Sequence, residues 1–276
     1  MGAAPLTRIH RPYPVLVPLG GAITDYTDVL VDRQADADGR VTAALARGIR
    51  RAAGGAVVEF REVRSGAAAE GVYACWPGPK RRLADSMCLE LPGWAMDDLI
   101  ARVSSSRGQR IRSALRKLDT AGIVERDVPA REVPAAVARL LRLHLLQWRD
   151  REVNPEHQRL RFAEHLTRAV GLMVASGDAV LTEFGRGGEV VAANLTVLSP
   201  GLAGGYLYGA DPALRAAKVD LNTLLMRHGV RHAAGGGRGA LSLLRGAEPY
   251  KSHWRPEPRP NQRLLLAGGP AGPLLL

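Results

Sequence analysis

Between residues 179 and 244 the chain spells out three strand-like segments, a helix and a further strand. They are AVLTEF (Ala179–Phe184), EVVAANLTVL (Glu189–Leu198), LAGGYLYGAD (Leu202–Asp211), a helical pattern over Val219–Ala234, and LSLL (Leu241–Leu244). Links as short as Gly185–Gly188 allow only hairpin returns between the first strands, so these read as an antiparallel meander. A meander, then a helix, then a strand is the order of a mixed α/β core. Upstream, AVVEFREV (Ala56–Val63) and GIVERDV (Gly122–Val128) read as strands, with shorter ones at Val15–Val17, Val72–Cys75 and Ser86–Leu91. VTAALARGIRRA (Val41–Ala52), Ser104–Gly122 and PAAVARLLRLHLLQWRDRE from Pro134 have helical spacing. Asn154-Pro155-Glu156 has the residue types that open a helix, which then runs to Gly177. NQRLLL (Asn261–Leu266) is a last strand, and 267–276 is expected to be a mobile tail.

With 46% hydrophobic and 24% charged residues, the 276-residue chain has enough apolar surface to fold. No apolar run approaches the roughly 18 residues that suggest a membrane span. The opening MGAAPLTRIHRPYP has no apolar core. Cys75 and Cys88 are the only cysteines, which excludes a disulfide framework and a cysteine-based zinc site. A cytoplasmic location is the expectation. The net charge of +11 is concentrated centrally: residues 101–170 hold 15 basic and 8 acidic side chains, whereas 1–100 hold 12 of each. An anion-binding face is one reading. Only four of 38 basic residues are lysines, so an arginine-rich base composition is the other.

Leu244-Arg245-Gly246-Ala247-Glu248-Pro249-Tyr250-Lys251-Ser252-His253-Trp254 resembles the signature of the CelD-like branch of the GNAT acyltransferase superfamily, related to Fem-type aminoacyl transferases. Four further segments resemble that family in the same order. They are Ile23–Leu30, Arg110–Lys117, Leu143–Arg149 (with Gln147 where arginine is usual) and Tyr206–Pro212. The resemblance implies two GNAT-like halves, 1–103 partial and 104–266 complete, and acyl transfer to an amine. It places an acyl-CoA thioester along Leu202–Gly209 and its pyrophosphate at the start of the Val219–Ala234 helix. Tyr206, Gly209, Arg215 and Lys218 would then bind the donor. Lys218-Val219-Asp220-Leu221 lacks the glycine usual before that helix, and Asp220 adds negative charge where phosphates would sit.

On the same resemblance, Lys251 would stabilise the oxyanion, Tyr208 would protonate the leaving thiolate, and His144 is a candidate general base. Arg245, Glu248, Asn194 and Tyr250 are candidates for binding the acceptor. Arg245 and Glu248 read equally as an ion pair, Tyr250 and Trp254 as core, and His144 as a buried helix residue. His228 and His232 stand four apart, a metal-ligand spacing, but no HExxH glutamate accompanies them, so no metal is expected. Gly235–Gly239 lacks the ending of a phosphate loop and reads as a turn. Three functions follow: an N-acyltransferase using acetyl-CoA or another acyl-CoA on a small amine or sugar precursor; an aminoacyl-tRNA-dependent transferase with tRNA on the basic 107–117 helix; or a non-catalytic GNAT fold in polysaccharide assembly.

Overall fold

A computed structural model describes the chain except residues 11, 22–23, 150–154, 247 and 269–276. Ile23, Ala247, Asn154 and the end of the expected tail therefore lie outside the described residues. The protein is mixed α/β and divides into two compact units, Met1–Cys88 with Pro258–Leu276, and Leu89–Glu257.

In the first unit, β1 (Gly2–Ala3) pairs antiparallel with β4 (Leu30–Val31). A second sheet has the order β2 (Leu6–His10), β3 (Pro14–Pro18), β5 (Val57–Arg64), β12 (Glu257–Ala267) and β6 (Lys80–Pro92). β6 leaves this unit at Cys88. Helix α1 (Arg40–Ala53) buries Thr42, Ala46, Ile49 and Ala53, one face at helical spacing. Val72–Cys75, expected as a strand, instead ends helix α2 (Ala68–Ala74). The alanines before Val72 favour helix, and Ala69 and Val72 are the buried pair at i, i+3. β12 belongs with this unit because it pairs antiparallel with β5 from Asn261 to Ala267. The division therefore falls at 88/89 and 257/258, where the sequence reading divides the chain after 103.

The second unit holds α3 (Met96–Ala101), α4 (Ser105–Thr120), β7 (Val124–Asp127), α5 (Val133–Gln147) and α6 (Leu160–Ser176). It continues with β8 (Ala179–Arg186), β9 (Glu189–Leu198), β10 (Leu202–Ala210), α7 (Ala213–Ala216), α8 (Leu221–Ala234) and β11 (Ala240–Arg245). From the end of β6 its strand order is β11, β10, β9, β8, β7. The meander is as the apolar runs require. Gly187 and Gly188, both with positive φ (61° and 86°), make the β8–β9 turn. Gly177, at φ 81°, ends α6 with its amide on Met173 and Val174. The crossover through α8 brings β11 back parallel to β10.

Candidate active site

The parallel pairing of β10 with β11 covers only Leu202↔Ala240, Ala203↔Leu241 and Gly204↔Ser242. Beyond Gly204, β10 continues to Ala210 and β11 to Arg245. Two features drive them apart. A bulge between Gly205 and Leu207 shifts the register of β10 against β9. Leu244 takes a left-handed conformation (φ 59°) that a bulky residue adopts only under strain, with its amide on Ser242 Oγ.

A cavity of about 80 Å³ opens at this divergence, lined by Asn194, Thr196, Tyr208, Asn222, Ser242 and Tyr250 among others. Its polar groups are amides and hydroxyls, and among the described residues no charged side chain lines it. A second cavity of about 270 Å³ shares Asn222 and Tyr250 with the first. It lies at the start of α8 and is lined by Arg107 and Arg110 from α4, with Asp220, Thr223 and His253. Asp220 caps α8 by accepting from the Thr223 amide at 3.0 Å.

Three of the sequence-predicted residues meet in the first cavity: Asn194, Tyr208 and Tyr250. Asn194 faces Tyr208 across the β9–β10 ladder. Burial, with Tyr208 and Glu248 beside it, pushes the Tyr250 phenol up, so it keeps its proton across the physiological range. Tyr206 falls at the bulge and does not line the cavity, so the simple alternation that would pair it with Tyr208 is broken there.

The other expected residues are placed elsewhere. His144 lies on α5, buried, with Nδ1 2.7 Å from the Tyr208 carbonyl oxygen. A carbonyl only accepts, so Nδ1 carries the proton, and Nε2 accepts from His157 Nδ1 at 3.2 Å. Both ring nitrogens are thus engaged away from the cavity. Burial lowers the pKa of both histidines. Gly209 backs onto the same helix: a Cβ there would stand 2.7 Å from the Leu140 carbonyl oxygen, so its role is close packing. Arg215 and Lys218 are exposed and line neither cavity.

Lys251 is buried in the 3₁₀ turn Lys251–Trp254. Its ammonium donates to the carbonyls of Arg245 (2.6 Å) and Gly246 (3.3 Å) and meets the Glu248 carboxylate at 2.7 Å. It closes the 245–248 turn and does not line the cavity. Glu248 pairs with Lys251, three residues on.

Sequence reasoning passed over Thr196, Asn222 and Ser242 as site residues, and it offered Arg107 and Arg110 only as part of a basic 107–117 helix for tRNA. The strand hydroxyls carry no local signal, because serine and threonine are ordinary in strands. The two arginines join the site only because α4 packs beside α8. His228 and His232 place their ring centroids 4.5 Å apart. Among the described residues no group of three or more His, Cys, Asp or Glu is arranged to hold a metal.

A strand pair opening at a bulge, a neutral polar cavity in the opening and a helix start beside two arginines define a GNAT-like acyl-transfer fold. The profile of the acetyltransferase (GNAT) domain matches residues 105–252, more than half of the chain. The chain belongs to that family. No curated protein sequence matches it.

Among solved structures, FemX is similar over 100% of this chain and 87% of its own, with 11% identity and a TM-score of 0.66. The C-terminal domain of a putative lysylphosphatidylglycerol synthetase from Agrobacterium fabrum covers 98% of this chain and 83% of its own, with 12% identity and a TM-score of 0.59. L-PGS from Bacillus licheniformis covers 98% and 82%, with 10% identity and a TM-score of 0.59. These likenesses are of fold.

Proposed function

We propose that the protein is an N-acyltransferase of the CelD-like branch that moves an acetyl or longer acyl group from a CoA thioester to an amine. The amine belongs to a small molecule or sugar precursor. The observation that carries this reading is the divergence of β10 from β11 after Gly204↔Ser242, with a cavity in the gap. A strand edge released from its neighbour offers backbone N–H and C=O groups to an extended amide arm. The second cavity suits the pyrophosphate: Arg107 and Arg110 supply positive charge and the start of α8 supplies its dipole, while the Asp220 carboxylate works against both.

Within this reading Tyr208 donates a proton to the departing thiolate, and Asn194 and Tyr250 hold the reacting groups. Tyr208→Phe is expected to lower kcat about 100-fold with little change in KM for the donor.

An aminoacyl-tRNA donor is the second reading. It is supported by the fold likeness to FemX and by the exposed Arg110, Arg112, Arg116 and Lys117 on α4. No helix of the described residues is long and apolar enough to cross a membrane. Thermal-shift titration with acetyl-CoA, CoA and bulk tRNA at two salt concentrations separates the readings. Stabilisation by acetyl-CoA and CoA supports the first. Stabilisation by tRNA alone, lost at high salt, overturns it in favour of the second. No stabilisation by any of them points to the non-catalytic fold.

A further inference from the structure

Lys251, expected to stabilise the oxyanion, does not line the cavity, so the charge that develops there needs another donor. Thr196 on β9 is fully buried and yet lines the cavity. The residue opposite it in the β9–β10 ladder is Gly205, which has no side chain to cover it. Asn194, two residues earlier and on the same face, donates from Nδ2 to Thr196 Oγ1 at 2.9 Å. From α8, Nε2 of His228 lies 3.4 Å from the same oxygen. His228 is 1% exposed, with Phe184 and His232 edge-on against its ring.

The far side of the ring decides where its proton sits. Nδ1 is 3.3 Å from a guanidinium nitrogen of Arg231, a group that only donates, so Nδ1 accepts. Glu125 Oε2 stands 3.5 Å from Nδ1, beyond ordinary hydrogen-bond length. A neutral ring that accepts at Nδ1 carries its proton on Nε2, and a charged ring carries one there too. Nε2–H therefore meets Thr196 Oγ1 as a donor. A hydroxyl oxygen has two lone pairs and one proton. Both lone pairs of Thr196 are taken, one by the Asn194 amide and one by His228. Its own proton has no acceptor among the described residues. A buried proton left unpaired is costly, and the cavity is the space from which its acceptor comes.

We propose that Thr196 is a catalytic residue whose hydroxyl donates to the carbonyl oxygen of the acyl group, and that His228 is the positioning residue that turns its proton into the cavity. The proposal rests on the transferase reading and names the oxyanion contact of its CoA thioester. Attack by the neutral amine forms the C–N bond and moves the C=O π pair onto that oxygen. When the pair returns, the C–S bond breaks, sulfur takes the Tyr208 proton, and the surplus proton on nitrogen restores the phenol. Thr196 keeps its proton throughout. Its hydrogen bond strengthens as charge gathers on the oxygen and relaxes as the charge leaves. Among the described residues no charged side chain lines the cavity, so neutral donors such as this one are what the oxygen meets.

The test has two arms on the full chain. In ¹⁵N-histidine NMR, with the signal assigned by its loss in His228→Gln, the wild-type His228 ring is expected to carry a proton on Nε2. A ring protonated on Nδ1 alone overturns the proposal. The second arm is isotope-edited infrared spectroscopy of acetyl-CoA labelled with ¹³C at the carbonyl. In wild type the bound carbonyl stretch is expected at lower frequency than in water. Thr196→Val, or Thr196→Ala should the valine variant not fold, is expected to lose that shift, and Thr196→Ser to keep it. A shift that survives loss of the hydroxyl, or one that Thr196→Ser loses as well, overturns the proposal. Bound acetyl-CoA with no shift in wild type sinks the Thr196 contact and leaves the CoA donor standing. A folded wild type that binds neither acetyl-CoA nor CoA sinks the donor reading, and the thioester contact with it.

Discussion

Gly209 of β10 and His144 of α5 are in direct backbone contact: a Cβ at 209 would collide with the His144 amide nitrogen and with Leu140 and Leu143. The obstacles are helix backbone, which cannot rotate away. Gly209→Ala is therefore expected to destabilise the protein by about 3 kcal/mol, at the upper end of overpacking. Urea unfolding monitored by circular dichroism measures it. An unchanged midpoint would show that α5 is free to lift from β10.

Three histidines carry a pH dependence. His144, His157 and His232 all have depressed pKa values from burial, His232 to about 4. Unfolded, each binds a proton at higher pH than when folded. Their contribution to stability is therefore complete above the ordinary histidine pKa and is lost as pH falls through that value towards about 4. The Tm is expected to drop between pH 7 and pH 5. His157→Gln is expected to flatten that slope, because it removes one site whose pKa burial, and then the neighbouring His144, holds down. A pH-independent Tm would contradict the neutral histidine pair.

Asp220 holds a cap that the helix needs and a charge that an anionic donor does not. Asp220→Asn keeps an oxygen on the Thr223 amide and removes the charge beside Arg107 and Arg110. Acetyl-CoA affinity is expected to rise severalfold with stability nearly unchanged, while Asp220→Ala should lose about 1 kcal/mol of stability. Calorimetric titration and denaturation separate the two effects. Weaker acetyl-CoA binding by the asparagine variant would remove the phosphates from this cavity.

Lys251 separates what the sequence shows from what the fold does with it. The residue stands in the most specific stretch of the chain, which marks it for chemistry. In the structure its ammonium ties down the Arg245 and Gly246 carbonyls. Lys251→Ala is expected to lower stability by about 2–4 kcal/mol, because two carbonyls and a carboxylate lose their donor. Full stability with abolished turnover would instead return Lys251 to the oxyanion role.

The order of strands and helices in the second unit was legible because each element writes its own period. The β8–β9–β10 meander, α8 and β11 all stand where the apolar runs and glycines place them. Asn194 was legible as a polar residue in an apolar strand, and Tyr208 from its segment. The bulge at Tyr206 was not, because it depends on the register against β9. Nor was the link from Glu125 to His228, which are more than a hundred residues apart and meet only through packing. Neither was the position of Arg107 and Arg110 at the start of α8: Arg215 and Lys218 are nearer to it in sequence but line neither cavity.

The central claim is that a CoA thioester binds in the opening of β10 and β11 with its phosphates beside α4. Isothermal titration of acetyl-CoA into wild type and Arg110→Glu tests it most directly. The account predicts saturable one-to-one binding by wild type, at least tenfold weaker in Arg110→Glu with the fold intact. A folded wild type that binds neither acetyl-CoA nor CoA, or an Arg110→Glu variant that binds as well as wild type, would contradict it.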